Sequence, residues 1–356
     1  MESERAVVIE EACRFCWMCC HLCPVALATG NEANTPRARA LVASMDRRNF
    51  PFGRDSALKM FECVLCYACS DNCATGYDPT IFTREMRGRA IAEGLVSDEI
   101  VNLAEEVLNG NNPFVSDKDD AFDDLIKDLP PDAPIYLYRN GYEKHALPLM
   151  DFLSRNEIYY RTDREEKPSG AIACDFVGYL EEVRSIAADW VRWLDNLNVT
   201  TVICLNPADV FFLRSVASSW GIETKCHVVS SIEFAYELLK SGKLKKPNGK
   251  KIKGVYHDPS VLARNLLLTE EPRELLLSGG VSLVSLFLSY NLARSSGSLI
   301  LSKINPALQT KVAKGLWDDI MATGSNTVIT ASPESEINLE RSKPKSAKVY
   351  DIFELI

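Results

Sequence analysis

Nine of the twelve cysteines fall before residue 74, and eight of these form two runs of one spacing. The first run is CRFCWMCCHLCP, with Cys13, Cys16, Cys19 and Cys23 in a C-x2-C-x2-C-x3-C pattern followed by Pro24. The second is CVLCYACSDNC, where Cys63, Cys66, Cys69 and Cys73 repeat the pattern and Ala74 replaces the proline. Thiolates are soft ligands for iron and zinc. Three of them two residues apart on one tight loop can reach three corners of a cubane 4Fe–4S cluster. The fourth, beyond a turn, points to the other cluster. The spacing therefore predicts two 4Fe–4S clusters with crossed ligation. Cys13, Cys16, Cys19 and Cys73 hold the first, and Cys63, Cys66, Cys69 and Cys23 hold the second. Zinc also uses C-x2-C pairs, but its four-ligand sites rarely take a third cysteine two residues on. A disulfide framework belongs to short secreted chains. This chain has 356 residues and opens MESERAVVIE, charged where a secretory signal would be apolar. Cys20 is left over and reads as a packed free thiol.

The stretch Thr35 to Arg47 has a threonine cap, a proline at the first helical position and apolar residues at helical spacing. Pro79 to Leu95 reads the same way. The long, helical gap between Cys23 and Cys63 exceeds what a minimal β-α-β ferredoxin needs. It implies an α-helical ferredoxin domain over 1–112 with an inserted helical segment. An acidic, proline-rich stretch from Asn109 to Pro134 reads as a surface linker with a short helix, placed at 113–133. Beyond it, strands are expected at Ile135–Tyr138, Ala171–Ala173, Thr201–Leu205, His227–Val229, Gly254–Tyr256, Val281–Leu283 and Thr327–Thr330. Helices such as Glu181–Leu197 and Pro306–Ala322 alternate with them, which implies α/β units with a mostly parallel sheet. The segment from Ala187 also matches the segment from Ala313 in register, through Thr201-Val202-Ile203 with Thr327-Val328-Ile329 and Pro207 with Pro333. Two duplicated α/β halves follow, 134–248 and 249–356, with the boundary near Lys245–Lys251.

Composition excludes some classes of function. The net charge of −9 repels phosphate backbones, so no nucleic-acid partner is expected. The interrupted basic run Lys243 to Lys253 reads as a solvated loop. The uncharged stretch Leu275 to Ala293 has the length of a membrane span. Gly279-Gly280 and its serines make it a helix end, a turn and a buried strand instead. The chain is expected to lack a transmembrane span and to be cytoplasmic, or peripheral at a membrane through a partner.

With these motifs the chain resembles the iron–sulfur subunits of glycolate oxidase and of anaerobic glycerol-3-phosphate dehydrogenase, and the subunits of heterodisulfide reductase. The resemblance implies an α+β multidomain fold, an α-helical ferredoxin domain followed by two duplicated α/β repeats of the cysteine-rich CCG type. Here those repeats are degenerate. Tyr256–Ser260, YHDPS, is similar to an HDPC element with Ser260 at the cysteine position. Asn206-Pro207-Ala208-Asp209 and Ser332-Pro333-Glu334-Ser335 are similar to C-P-x-C, and Ser295-Ser296-Gly297 to CCG. Near Cys174-Asp175 one cysteine of the other CCG remains. Serine and asparagine replace thiolates poorly at iron, so no third cluster is expected. Cys174, Cys204 and Cys226 read as small buried hydrophobes beside strands, and His257-Asp258 as a structural turn rather than a catalytic pair. The resemblance further implies a non-catalytic electron-transfer subunit. Its partner would be an FAD-containing, 2-hydroxy-acid dehydrogenase-like subunit, with the FAD held there and not on this chain. An electron-transferring flavoprotein, a ferredoxin or a quinone-linked protein would stand at the other end. The alternatives are a catalytic thiol/disulfide subunit like heterodisulfide reductase, and a non-redox assembly module.

Overall fold

The computed structural model describes residues 13–115, 120–245 and 252–356. The opening MESERAVVIE, part of the acidic connector and most of the expected boundary at 245–251 lie outside the described residues. The molecule is mixed α/β, a helical region followed by two small parallel sheets.

The helix signals near the cysteines act as their chemistry dictates. Thr35 accepts a hydrogen bond from the Ala38 N–H and starts the helix Pro36–Arg47. Asp78 caps the helix Pro79–Ala92 through the Thr80 N–H. That helix stops before the expected Leu95, because Gly94 turns the chain in the left-handed region at φ 66°. Between them, the helix Arg54–Phe61 leads directly into Cys63.

The first sheet contains β1 (Ile135–Tyr138), β2 (Tyr160–Arg161), β3 (Thr201–Cys204) and β4 (His227–Ser230) in the order β2-β1-β3-β4. The second contains β5 (Lys253–Tyr256), β6 (Ser282–Val284), β7 (Thr327–Thr330) and β8 (Lys348–Asp351) in the order β6-β5-β7-β8. All pairs are parallel. The second sheet repeats the strand order of the first. β3 and β7, matched in the sequence comparison, hold the same place in each.

Three local expectations are corrected. Ala171–Ala173 is the first turn of the helix Ala171–Val177, not a strand. Gly88 and Gly178 let this helix lie against Pro79–Ala92, and the edge beside β1 goes to the two-residue β2. The strand expected at Val281–Leu283 runs from Ser282 to Val284 and is an edge strand, exposed to half-buried rather than buried. It follows the helix Glu271–Ser278 and the turn at Gly279-Gly280. The connector holds its short helix, Asp120–Lys127, but is not merely solvated. Phe114 and Phe122 are buried, Phe114 lies 5.5 Å from the Phe176 ring, and the Arg139 guanidinium stacks 4.3 Å from Phe122. Among the described residues no helix is long and apolar enough to cross a membrane.

One apolar core runs from Ala40 through the first sheet to Phe353. A smaller cluster joins Leu22, Val25 and Val64 to Leu301, Leu308 and Val312, where the second α/β half meets both cysteine loops. The helical region meets the first half backbone to backbone. A Cβ on Gly88 would stand 2.3 Å from the Val177 carbonyl oxygen. One on Gly178, at φ +83°, would stand 2.4 Å from that of Arg84. The chain's last residues return to the first half, with Phe353 5.0 Å from Phe152 and Arg155 donating to the Ile356 carbonyl at 2.9 Å.

Candidate metal centre

Each cysteine run is wound into a tight loop by a residue in the left-handed region that is not glycine. Phe15, at φ 49°, precedes Cys16, and Leu65, at φ 47°, precedes Cys66. Tyr67, at φ 60°, follows in the second loop. Such a conformation costs roughly 1–2 kcal/mol per residue. Two loops holding it at the same motif position point to a constraint on where the sulfurs face.

The folding of these loops brings the runs together crosswise. Cys13, Cys16, Cys19 and Cys73 line one cavity of ≈ 430 Å³, part of it open solvent. Burial pushes the Cys13 thiol up, and the neighbouring Cys73 and Cys16 add to that. Cys19 is pushed up to about 12, by burial first and then by Cys20. Cys73 is the exception in its set. Burial pushes it up, but the Thr75 hydroxyl and the N–H groups of Thr75, Tyr77 and Gly76 outweigh that and bring it below the usual thiol range. The second set gathers Cys23, Cys63, Cys66 and Cys69, all buried. Burial raises Cys23, Cys66 and Cys69, and Cys63 contributes like-charge repulsion to all three.

The two sets differ in their cations. Three buried arginines surround the second set and donate to carbonyls and a sulfur. Arg39 donates to the Asn34 carbonyl at 3.1 Å and lies 4.0 Å from the Cys23 sulfur. Arg87 donates to the carbonyls of Met60 at 2.9 Å, Cys63 at 2.5 Å and Asp175 at 2.6 Å. Arg264, from the second α/β half, donates to the carbonyls of Cys66 and Asn291, each at 2.8 Å. Among the described residues none of the three pairs with a carboxylate. Carbonyls satisfy N–H groups but leave the charge, and an uncompensated buried cation costs several kcal/mol. The three converge on the second cysteine set, whose Cys63 acts as a negative neighbour of Arg39 and Arg87, and Asp175 is a further one for Arg87. Around the first set, Arg14 is exposed and Arg37 pairs with Glu32.

Two crossed quartets of sulfurs, with N–H donors at Cys73 and arginines at the second set, form a donor arrangement that two anionic clusters fit. Among the described residues no three His, Cys, Asp or Glu close tightly enough to hold a single metal ion. Cubane ligands sit at separate corners and stand wider apart than ligands of one ion.

The degenerate C-terminal motifs meet in one cleft of ≈ 620 Å³, partly open solvent, between the two α/β halves. Asn206, Ser260, Ser296, Ser332 and Ser335 line it, and Cys63 and Cys66 lie at its wall. Cys174 and Cys204 are buried as expected, although Cys174 sits in a helix. Cys226 is only half-buried, and so is Cys20. His257 is buried against the Arg294 carbonyl at 3.1 Å, and burial lowers it to about 4. Asp258 does not cap the turn. It grips Arg273 at 2.7 and 2.8 Å and accepts the Tyr290 N–H at 2.8 Å, so the two form no catalytic pair. Sequence reasoning missed the three arginines, since Arg39 and Arg87 sit in helices where arginine normally faces water. It also missed Glu334, a half-buried residue in the wall of this cleft that desolvation raises to about 7.

No protein-family model matches the chain, and no curated protein matches it.

Proposed function

We propose that this chain is an electron-transfer subunit with two 4Fe–4S clusters, one on Cys13, Cys16, Cys19 and Cys73, the other on Cys63, Cys66, Cys69 and Cys23. When bound, such clusters supply reversible one-electron transfer. The observation that carries the reading is the crossing itself, in which each quartet takes three sulfurs from one run and one from the other. The loops fix the sulfurs, the N–H groups at Cys73 favour its thiolate, and the arginines balance negative charge at the buried set. The resemblance supports an FAD-containing partner that delivers electrons in pairs and a further acceptor that takes them on. Among the described residues the serine-lined cleft holds no thiol beyond Cys63 and Cys66, which speaks against thiol/disulfide catalysis there.

Crossing has a spectroscopic test. In anaerobically reconstituted full chain, Cys73→Ser and Cys16→Ser are expected to perturb the same EPR signal after reduction, and Cys23→Ser the other. If Cys73→Ser instead alters the signal that Cys66→Ser alters, the ligand sets are wrong. The partner is tested by affinity purification from the native cell, where a flavin-containing polypeptide is expected. Its absence from a complex that still passes electrons would contradict that part of the reading.

A further inference from the structure

A second cavity, of ≈ 630 Å³ and partly open to solvent, lies on the other side of the second cysteine loop, where the helix Pro79–Ala92 meets the first α/β half. Its walls carry the rings of Tyr67, Tyr179, Phe211 and Trp220. Residues Ser215 and Val216 come from a π-helical stretch, Phe212–Ala217, a distortion found frequently at functional sites.

Tyr67 links this cavity to the metal centre. It stands between Cys66 and Cys69, buried and in the left-handed region, so the loop that sets two ligands also sets this ring. The ring meets Phe211 edge-on at 5.3 Å. The Tyr67 hydroxyl accepts a hydrogen bond from Arg84. Among the described residues that hydroxyl makes no hydrogen bond other than the one from Arg84, although Tyr67 lines the cavity and is only 5% exposed. A ligand with a carbonyl oxygen would complete it.

Charge narrows the class of ligand. Arg84 is the cavity's cation, and it is paired with Asp175 at 2.7 Å and hydrogen-bonded to Thr80 at 3.0 Å. Asp78 and Glu85 also line the cavity. A phosphate would meet acids and an arginine already matched, which disfavours a nucleotide or a flavin phosphate. An uncharged, flat ring bearing carbonyls suits aromatic walls and hydroxyl donors such as Tyr67 and Tyr179.

We propose that this cavity binds a planar, uncharged compound of the quinone class and, resting on the electron-transfer reading above, that electrons leave the second cysteine set there. Reduction of a quinone to its quinol consumes an electron pair and a pair of protons. The reduced flavin of the partner subunit supplies the electrons, and solvent at the open mouth supplies the protons.

The test uses the full reconstituted chain and 2,3-dimethyl-1,4-naphthoquinone, whose substituted ring resists addition of the many thiols. Binding is read from quenching of Trp220 fluorescence, with Trp220→Phe as the control that loses that component. The parent should show saturable quenching at one site. Tyr67→Phe keeps the ring and loses the hydroxyl, so it should weaken binding roughly two- to tenfold, as for one neutral hydrogen bond. Ser215 is exposed at the cavity wall, so Ser215→Trp can fill it without burden on the core and should abolish saturation. Reduced parent protein should be reoxidised by the quinone anaerobically, and Ser215→Trp much more slowly. Absence of saturable quenching in the parent, or equal binding by Ser215→Trp, would overturn the site. Saturable binding to a chain that takes up no iron would keep the site and overturn the electron-transfer role.

Discussion

Arg264 reaches out of the second α/β half to the carbonyl of Cys66, and with Arg39 and Arg87 it places buried positive charge around the second quartet. Positive charge favours the more negative, reduced state of whatever those thiolates hold. Arg264→Gln keeps donors for the carbonyl and removes the charge. It should lower one of two midpoint potentials in an EPR-monitored titration and leave the other in place, whereas Arg264→Lys should largely restore it. Equal shifts of both, or none, would contradict this electrostatic role. Asp209 gives a prediction about pH. Burial pushes its carboxyl up to about 7, although Ser169 and Asn140 donate to one oxygen, and the other oxygen has no partner. Its folded pKa lies above the unfolded value of about 3.9. The stability it contributes is therefore full below about pH 4 and is lost as pH rises through about 7. Thermal unfolding of Asp209→Asn against the parent should shift in the variant's favour between about pH 5.5 and pH 8. A constant difference would mean that Asp209 is ionised throughout. The eight clustered cysteines were legible because ligand spacing is written in the chain. The arginines and Asp209 were not, because burial of a polar residue depends on what packs over it.

The contact between the helices Pro79–Ala92 and Ala171–Val177 fixes how the second cysteine loop meets the first α/β half. Gly88 has no room for a methyl group beside the Val177 carbonyl. Gly88→Ala should destabilise the chain by about 1–3 kcal/mol, as overpacking does, measured by denaturant unfolding of the loaded protein. Unchanged stability would show that the helices separate freely. Most strands were legible where β-branched and aromatic residues cluster, as in Ile135–Tyr138 and Thr327–Thr330. The helix at Ala171 was misread because the seven residues between Gly170 and Gly178 are too few to show a helical period. β2 and β8 were missed for another reason. Two residues, Tyr160–Arg161, form no pattern, and in Lys348–Asp351 only Val349 and Tyr350 carry a strand signal between two charges, so its strand state comes from pairing with β7.

At the scale of the whole molecule, the second cysteine set is enclosed by all three parts. It receives Arg39 and Arg87 from the helical region and Arg264 from the second α/β half, and it lies beside the cleft between the halves. The order of the parts and the alternation of strands and helices were legible in the sequence, and the common strand order of the two sheets adds to the weak internal match. The enclosure was not legible, since it depends on how the second half folds back onto the loops through Leu301, Leu308 and Val312. The direct measurement of the clusters is iron and acid-labile sulfide on anaerobically purified full chain, with EPR after reduction. The account predicts about eight irons and about eight sulfides per chain, with the broadened signal of two interacting 4Fe–4S clusters. About four irons in a fully loaded sample, or zinc in place of iron, would contradict it.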